Sequence, residues 1–348
     1  MTDQHWQNLL KVLNGELLDP LPVGLIADCP WLPGWAGGMS ILDYLSDDGR
    51  WLEANFKAVG RFPDVIFIPG FWAEYGMCTE PAAFGARCVW PENDFPFAKK
   101  MLDDYGDIAR LTKPDCRKEG MCPFVIKRLQ HTQARIEAEG HRIRFATARG
   151  PMNIATYLLG HSETLIGVKT NPDEIHALLK VVTDFTADWL QHQAEMFESI
   201  DGLLILDDLI GFLGEDDFRE FALPYCKQLC DSVDVSVKAL HNDCHGMITA
   251  KHMAEMGFNL FNFSFEHSLA EMREAAGEEI VLLGNIPPRD VLARGTPDDV
   301  RRAVAESLEG LEDRRRLILS CGGGTPPGVS DTNIEALVEA AGSFAGSP

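Results

Sequence analysis

Residues 239–246 read Ala-Leu-His-Asn-Asp-Cys-His-Gly and follow a run, VDVSVK, that alternates like a strand. Two histidines, an aspartate and a cysteine thus crowd into five positions where a strand should end. Imidazole, carboxylate and thiolate are the groups that hold a transition-metal ion; a simple polar turn is the competing reading. A second cysteine, Cys321, stands before the glycine-rich stretch SCGGGTPPG. Thiolates with a nearby imidazole suit zinc, which binds them tetrahedrally and lowers the thiol pKa as it does so. The expected ligands are His241, Cys244 and Cys321, with His245 as the fallback nitrogen. A regular strand sends residues 241 and 244 to opposite faces, so the chain is expected to leave strand geometry after Leu240, and Asn242 and Asp243 suit that turn. Asp207 or Asp208, ending the apolar run GLLIL, could add an oxygen that leaves when substrate arrives.

What must position these groups is a series of strands. Short apolar runs that end in Gly, Pro, Asp or Asn occur eight times, at 22–30, 64–71, 142–151, 202–211, 235–243, 258–265, 279–288 and 316–324. Amphipathic stretches lie between them, such as 171–200 and 296–311, the second opening on Thr296 as N-cap and Pro297 in the first turn. Strand then helix, eight times, predicts an α/β fold: a single (β/α)8 TIM barrel spanning 1–348, with the long mixed segment 72–141 as an insertion or lid over its C-terminal mouth. No Gly-x-Gly-x-x-Gly follows an early strand, which removes the commonest doubly wound rival.

Strand ends carry the chemistry in such a barrel. Those ends supply Asp28, Cys29, Glu74, Arg149, Asn153, Asp207, Asp208, the 241–245 cluster, Glu266, His267, Asn285 and Cys321. Asp207 and Asp208 are expensive to bury without partners, and with Arg149 they are the candidate catalytic groups, although a structural ion pair to Arg149 would also satisfy one of them. Trp31, Trp72, Glu74, Asn153, His245 and Asn285 are candidates to line the substrate or cofactor site. Aromatics such as Trp31, Trp35 and those of PGFWAEYGM could receive a flat ligand or serve as packing.

Composition narrows the partners. A formal charge of −22 disfavours nucleic acid and anionic membrane surfaces, because phosphate binding needs a basic face. No stretch approaches the ~20 apolar residues that span a bilayer, and the first residues lack the basic start and apolar block of a signal peptide, so a cytoplasmic protein is expected. Nine cysteines without compact spacing then read as thiols, with Cys226, Cys230, Cys116 and Cys122 as buried packing.

Four stretches carry a resemblance: ARGPMNIATYLLG (148–160), LLILDDLIGFLGEDDFREFALPYCKQL (203–229), GNIPPRDVLARGTPDDVRRAV (284–304) and LILSCGGGTPPGVSDTNIEALVEA (317–340). Through them the chain resembles the uroporphyrinogen decarboxylase superfamily, and within it the corrinoid-dependent methyltransferases. The resemblance implies a TIM barrel with its site at the C-terminal mouth. The decarboxylases carry an Arg-rich N-terminal signature that grips porphyrinogen carboxylates, and VGLIADCPWLPGW here has no arginine. Members that methylate a thiol bind zinc through a His-x-Cys pair after the fifth strand and a cysteine after the eighth. Cys244 and Cys321 match the thiolates, while the chain has His-x-x-Cys, so His241 is a neighbour of the matching position.

The resemblance thus implies a zinc-dependent methyltransferase that moves a methyl group between cobalamin and a thiol. The alternatives are a demethylase passing methyl from a methoxy, methylamine, methylthio or halomethane compound to cobalt, and a uroporphyrinogen decarboxylase-like enzyme. No Asp-x-His-x-x-Gly stretch is present, so the corrinoid is expected on a partner protein.

Overall fold

The computed structural model describes residues 1–27 and 30–343; Asp28 and Cys29 lie outside them. Eight parallel strands build one sheet: Val23–Ile26 (β1), Val65–Ile68 (β2), Phe145–Arg149 (β3), Gly202–Leu206 (β4), Val237–Asn242 (β5), Leu260–Phe263 (β6), Val281–Ile286 (β7) and Leu317–Cys321 (β8). Each falls within one of the eight apolar runs. Their order is β2-β1-β8-β7-β6-β5-β4-β3, so β1 lies beside β2, each strand from β3 to β8 lies beside the next in sequence, and β1 lies beside β8. This is the order of a (β/α)8 barrel. Among the described residues no ladder bond joins β2 to β3.

Alternation along the strands sorts the side chains into two layers. Ile26, Ile66, Ile68, Leu204, Leu206, Val237, Ala239, Leu260, Val281, Leu283 and Ile318 form the inner one, together with Trp6, Leu9 and Val12 of the helix Asp3–Leu13 (α1). That helix plugs the end where strands begin: Arg316, just before β8, donates to the carbonyl of Leu13, and Trp6 meets Phe145 edge-on at 5.6 Å. With one end plugged by apolar residues, the chemistry is confined to the other. The alternate residues, such as Leu203, Ile205, Leu240 and Leu282, face the outer helices.

Helix starts follow the expected signals. Thr296 caps Pro297–Leu308, its hydroxyl accepting from Asp299 N–H while Asp299 accepts from Thr296 N–H, a box of which such a cap is typically worth ~1 kcal/mol. Cys116, Cys122, Cys226 and Cys230 are buried, as packing requires. Segment 72–141 holds a short hairpin, Cys88–Val89 with Phe97–Ala98, a 3-10 turn Tyr105–Arg110 and the helix Cys122–Ala138. That last helix packs against Asp48–Arg61 and Pro172–Met196, so the end of the segment belongs to the outer helical layer.

Candidate functional site

β4 and the loop after it are fastened to the start of the helix Pro151–Leu159. Asp207 is fully buried, and its two oxygens accept from the N–H groups of Met152 at 3.1 Å and Asn153 at 2.9 Å. A Cβ at residue 150 would stand 2.2 Å from Asp207 Oδ2, so the carboxylate fits only because that residue is Gly150. Burial pushes the Asp207 carboxyl up to about 8, against the pull of the two N–H groups. Asn153 donates to Leu206 O at 3.1 Å and accepts from Leu209 N–H at 3.1 Å, which holds the turn Asp208–Phe212 in place. Asp208, beside it, reaches the mouth half-buried.

β5 runs on to Asn242, two residues beyond the expected break, because Leu240, His241 and Asn242 keep their ladder partners on β6 and β4. The turn therefore comes after Asn242, whose side-chain oxygen accepts from Cys244 N–H at 2.9 Å. His241 Nδ1 lies 2.6 Å from Asn262 Oδ1. Asn262 in turn donates through Nδ2 to Leu283 O at 2.8 Å and to Cys321 O at 3.4 Å. Those two carbonyls fix which way the amide faces, so Asn262 presents oxygen and His241 Nδ1 carries the proton. The other nitrogen, Nε2, is left facing Asp208 Oδ1 at 3.6 Å and Asp243 Oδ2 at 3.9 Å.

Asp208, His241 and Asp243 offer one nitrogen and two oxygens, all within 4.8 Å of one another. Tetrahedral zinc with bonds of about 2.0–2.2 Å places ligand atoms about 3.4 Å apart, close to the spacing here. A lone pair aimed at two carboxylates is repulsive until a proton or a cation lies between them. Burial raises the Asp243 carboxyl, the His241 ring opposes that rise, and the Asp208 charge adds to it. The donor set and spacing fit a divalent cation, with Asn262 as the outer partner that orients the imidazole.

Neither cysteine belongs to this group. Cys321 is buried, its thiol is turned to Gly323 O at 3.3 Å, and burial pushes it up to about 12. The thiol of Cys244 is likewise raised by burial; its Cβ lies against the turn at Gly211, where an added Cβ would come within 3.1 Å. Both stand near the triad: a Cβ at Gly323 would come within 3.0 Å of Asp243. His245 points away from it, exposed, with Nδ1 3.1 Å from Glu266.

The β2–β3 side is organised differently. Arg149 is ion-paired with Glu74, not with Asp207 or Asp208, and its backbone N–H donates to Glu80 Oε1 at 3.0 Å. Its guanidinium lies 5.9 Å from the ring centre of Trp72, whose buried Nε1–H has no partner among the described residues. Trp31 is buried, donates to Val329 O at 3.1 Å and stacks on Trp35 at 4.9 Å, so it serves as packing behind the mouth. Asn285 ties His267 O to Ser307 Oγ, the latter at 2.9 Å. Sequence reasoning missed Asn262 and Glu80 and treated Asp243 as a turn residue. The available signals were an asparagine inside the apolar run FNLFNFSF and a glutamate in an otherwise small and apolar stretch, CTEPAAFGA.

The family model described as uroporphyrinogen decarboxylase (URO-D) matches residues 5–344. Curated proteins named uroporphyrinogen decarboxylase from Xanthomonas euvesicatoria pv. vesicatoria and Dichelobacter nodosus are 25% and 26% identical, each over 95% of this chain, covering 96% and 95% of their own length. Among solved structures, a methyltransferase from Methanosarcina mazei superposes with a TM-score of 0.81 at 20% identity, covering 98% of both chains. A B12-independent methionine synthase from Shewanella gives 0.54 at 11% identity over 93% of this chain and 96% of its own. At these identities the two structures are likenesses of fold.

Proposed function

The chain belongs to the uroporphyrinogen decarboxylase family, and from that premise we propose that it is a zinc-dependent methyltransferase exchanging a methyl group between a corrinoid carried by a partner protein and a small heteroatom compound, a thiol first. The observation that carries this reading is the Asp208–His241–Asp243 group, whose bare Nε2 faces two carboxylates and fits a divalent cation. A fold shared with a methyltransferase supports it. A decarboxylase that grips a polycarboxylate needs cationic clamps, and this mouth gathers Asp208, Asp243, Glu74 and Glu80, with Arg149 held by Glu74 and Arg289 near enough to Asp243 to act on its charge.

His241, Asp208 and Asp243 would hold the ion, and Cys244 and Cys321 remain the thiols proposed to join or replace a carboxylate. Bound zinc supplies Lewis acidity, keeping a thiol as thiolate at neutral pH or polarising a heteroatom. The chain's own residues do the rest. Asn262 holds the proton on His241 Nδ1 and keeps Nε2 aimed at the ion site. Asp207 and Asn153 anchor the turn that presents Asp208, so we assign them positioning roles. Trp72 offers a buried N–H on the opposite wall for the substrate body, beside the Arg149–Glu74 pair. Segment 72–121 supplies Glu74 and Glu80 to that wall, and we read it as the cover that excludes water.

The reverse direction, demethylation of a methoxy or methylamine compound toward cobalt, is favoured by one observation: nitrogen and oxygen donors make a more electrophilic zinc than thiolates do, which suits activation of an oxygen or nitrogen leaving group. Incubation with methylcobalamin and a small thiol, set beside cob(I)alamin with methoxyarenes, decides the direction. Loss of the methylcobalamin spectrum supports the first reading and its appearance the second. Corrinoid left unchanged in both, with carbon dioxide released from a porphyrinogen, overturns the methyltransferase assignment.

A further inference from the structure

A cavity of about 690 Å³ opens in the outer helical layer, a size that small organic ligands occupy. It lies between Asp48–Arg61 and Cys122–Ala138, the helices that lead into β2 and β3, with Trp90 beside the hairpin lining one side. Phe124, Lys127, Arg128 and His131 recur at the spacing of one helix face and line it together. Tyr75 and Trp90 add ring surface, packed edge to face at 6.2 Å. The Phe124 ring is left 57% exposed.

The polar groups around this cavity are unevenly satisfied. Asp47 accepts from the N–H groups of Gly49 at 2.8 Å and Arg50 at 3.0 Å, and Asp48 is paired with Arg128 Nε at 2.8 Å, so both carboxylates are engaged. His131 stands 3.7 Å from Asp48. Several donors are left over. Arg128 is 2% exposed, its guanidinium lies 4.6 Å from the ring centre of Tyr75, and its Nη1 has no hydrogen-bond partner among the described residues. Lys127 reaches Gln130 at 3.1 Å and no carboxylate among the described residues. Among those residues no hydrogen bond engages the Tyr75 hydroxyl or Trp90 Nε1 either.

We infer that this cavity binds a flat aromatic carboxylate. Tyr75, Trp90 and Phe124 receive the ring in offset or edge-to-face contact. The unused donors receive the carboxylate, with Lys127 at the rim giving a charge-assisted hydrogen bond. A cationic ligand would instead meet Lys127 and Arg128 where both nearby carboxylates are already engaged. On a chain of formal charge −22, unmatched donors gathered around ring surface are what draws an organic anion to this place. None of Asp208, His241 and Asp243 lines the cavity, so the site is independent of the methyltransferase reading.

Fluorescent naphthalene probes titrated into the full-length protein test it: naphthoate, its uncharged amide, and protonated naphthylmethylamine. Naphthoate should bind most tightly and the ammonium probe most weakly. Phe124→Ser should weaken naphthoate and the amide alike, and its exposed position spares the fold, which circular dichroism checks. Lys127→Met should weaken naphthoate about three- to fivefold, the scale of an exposed ion pair, and leave the amide unchanged. Equal affinity for the carboxylate and ammonium probes, unchanged naphthoate affinity in either variant, or no binding by the wild type at millimolar probe overturns the inference.

Discussion

The two walls of the mouth hold acidic groups in opposite ways. On the β2–β3 wall, Glu74 and Glu80 both engage Arg149, one through its guanidinium and one through its amide, so charge is matched within the protein. On the β4–β5 wall, Asp208 and Asp243 converge on the bare nitrogen of His241, and among the described residues neither aspartate forms an ion pair with an arginine or lysine, although the charge of Arg289 is felt at Asp243. A matched wall is complete as folded, and its cost of desolvation is offset by pairing. A cation would complete the unmatched wall, which is why we propose it as the working side.

The largest effect should come from unmatching the matched wall. Glu74→Leu leaves Arg149 with its main counter-charge removed in a buried place, and about 3–5 kcal/mol of stability should be lost in denaturant unfolding. Glu74→Leu with Arg149→Met should recover most of it. Recovery failing would mean the pair is not the source of the loss.

On the other wall, added zinc at 100 times its dissociation constant should stabilise the protein by about 2.7 kcal/mol, read as a rise in melting temperature. Asp243→Asn should remove that response, since the ion then loses an anionic oxygen. If both proteins respond alike, zinc binds elsewhere.

Asn262→Ala should weaken zinc about 10–100-fold, corresponding to roughly 1.4–2.7 kcal/mol, because it frees the His241 tautomer without removing a ligand. His245→Ala should leave affinity unchanged, given that His245 pairs with Glu266 in solvent. A larger loss at His245 than at Asn262 would reverse the assignment of nitrogen ligand.

The smallest effect concerns pH. Burial raises the Glu80 carboxyl more than Arg149 lowers it. Above the ordinary carboxylate range, near pH 4.3, the folded protein therefore binds more protons at Glu80 than the unfolded chain does, so its contribution falls as pH rises from there toward the folded pKa. Glu80→Gln should flatten that decline, whose slope is at most about 1.4 kcal/mol per pH unit. An unchanged slope would show Glu80 ionised in the fold.

The barrel was legible because its signal is repeated and local. Each of eight apolar runs contains a strand, and Thr296 caps its helix as its type requires. The site was legible in part. His241 stood out as an imidazole at a strand end, and Asp208 as a charge on an apolar run. The cysteines stood out equally, yet the Cys321 thiol turns to Gly323 and the Cβ of Cys244 lies against the Gly211 turn, placements set by loop backbone that spacing does not encode. Asp243 was hidden because an aspartate in a turn has a sufficient local reason to be there. Asn262 and Glu80 act across the sheet and between distant segments, at separations of 21 and 69 residues from His241 and Arg149, beyond the reach of any local pattern.

The most direct test is the metal content of the purified protein, wild type beside His241→Ala, by elemental analysis with the fold of each checked by circular dichroism. About one zinc per chain in the wild type, lost in a variant that stays folded, is the predicted result. Wild-type protein free of metal after purification with zinc supplied, or a folded variant that retains it, would contradict the account.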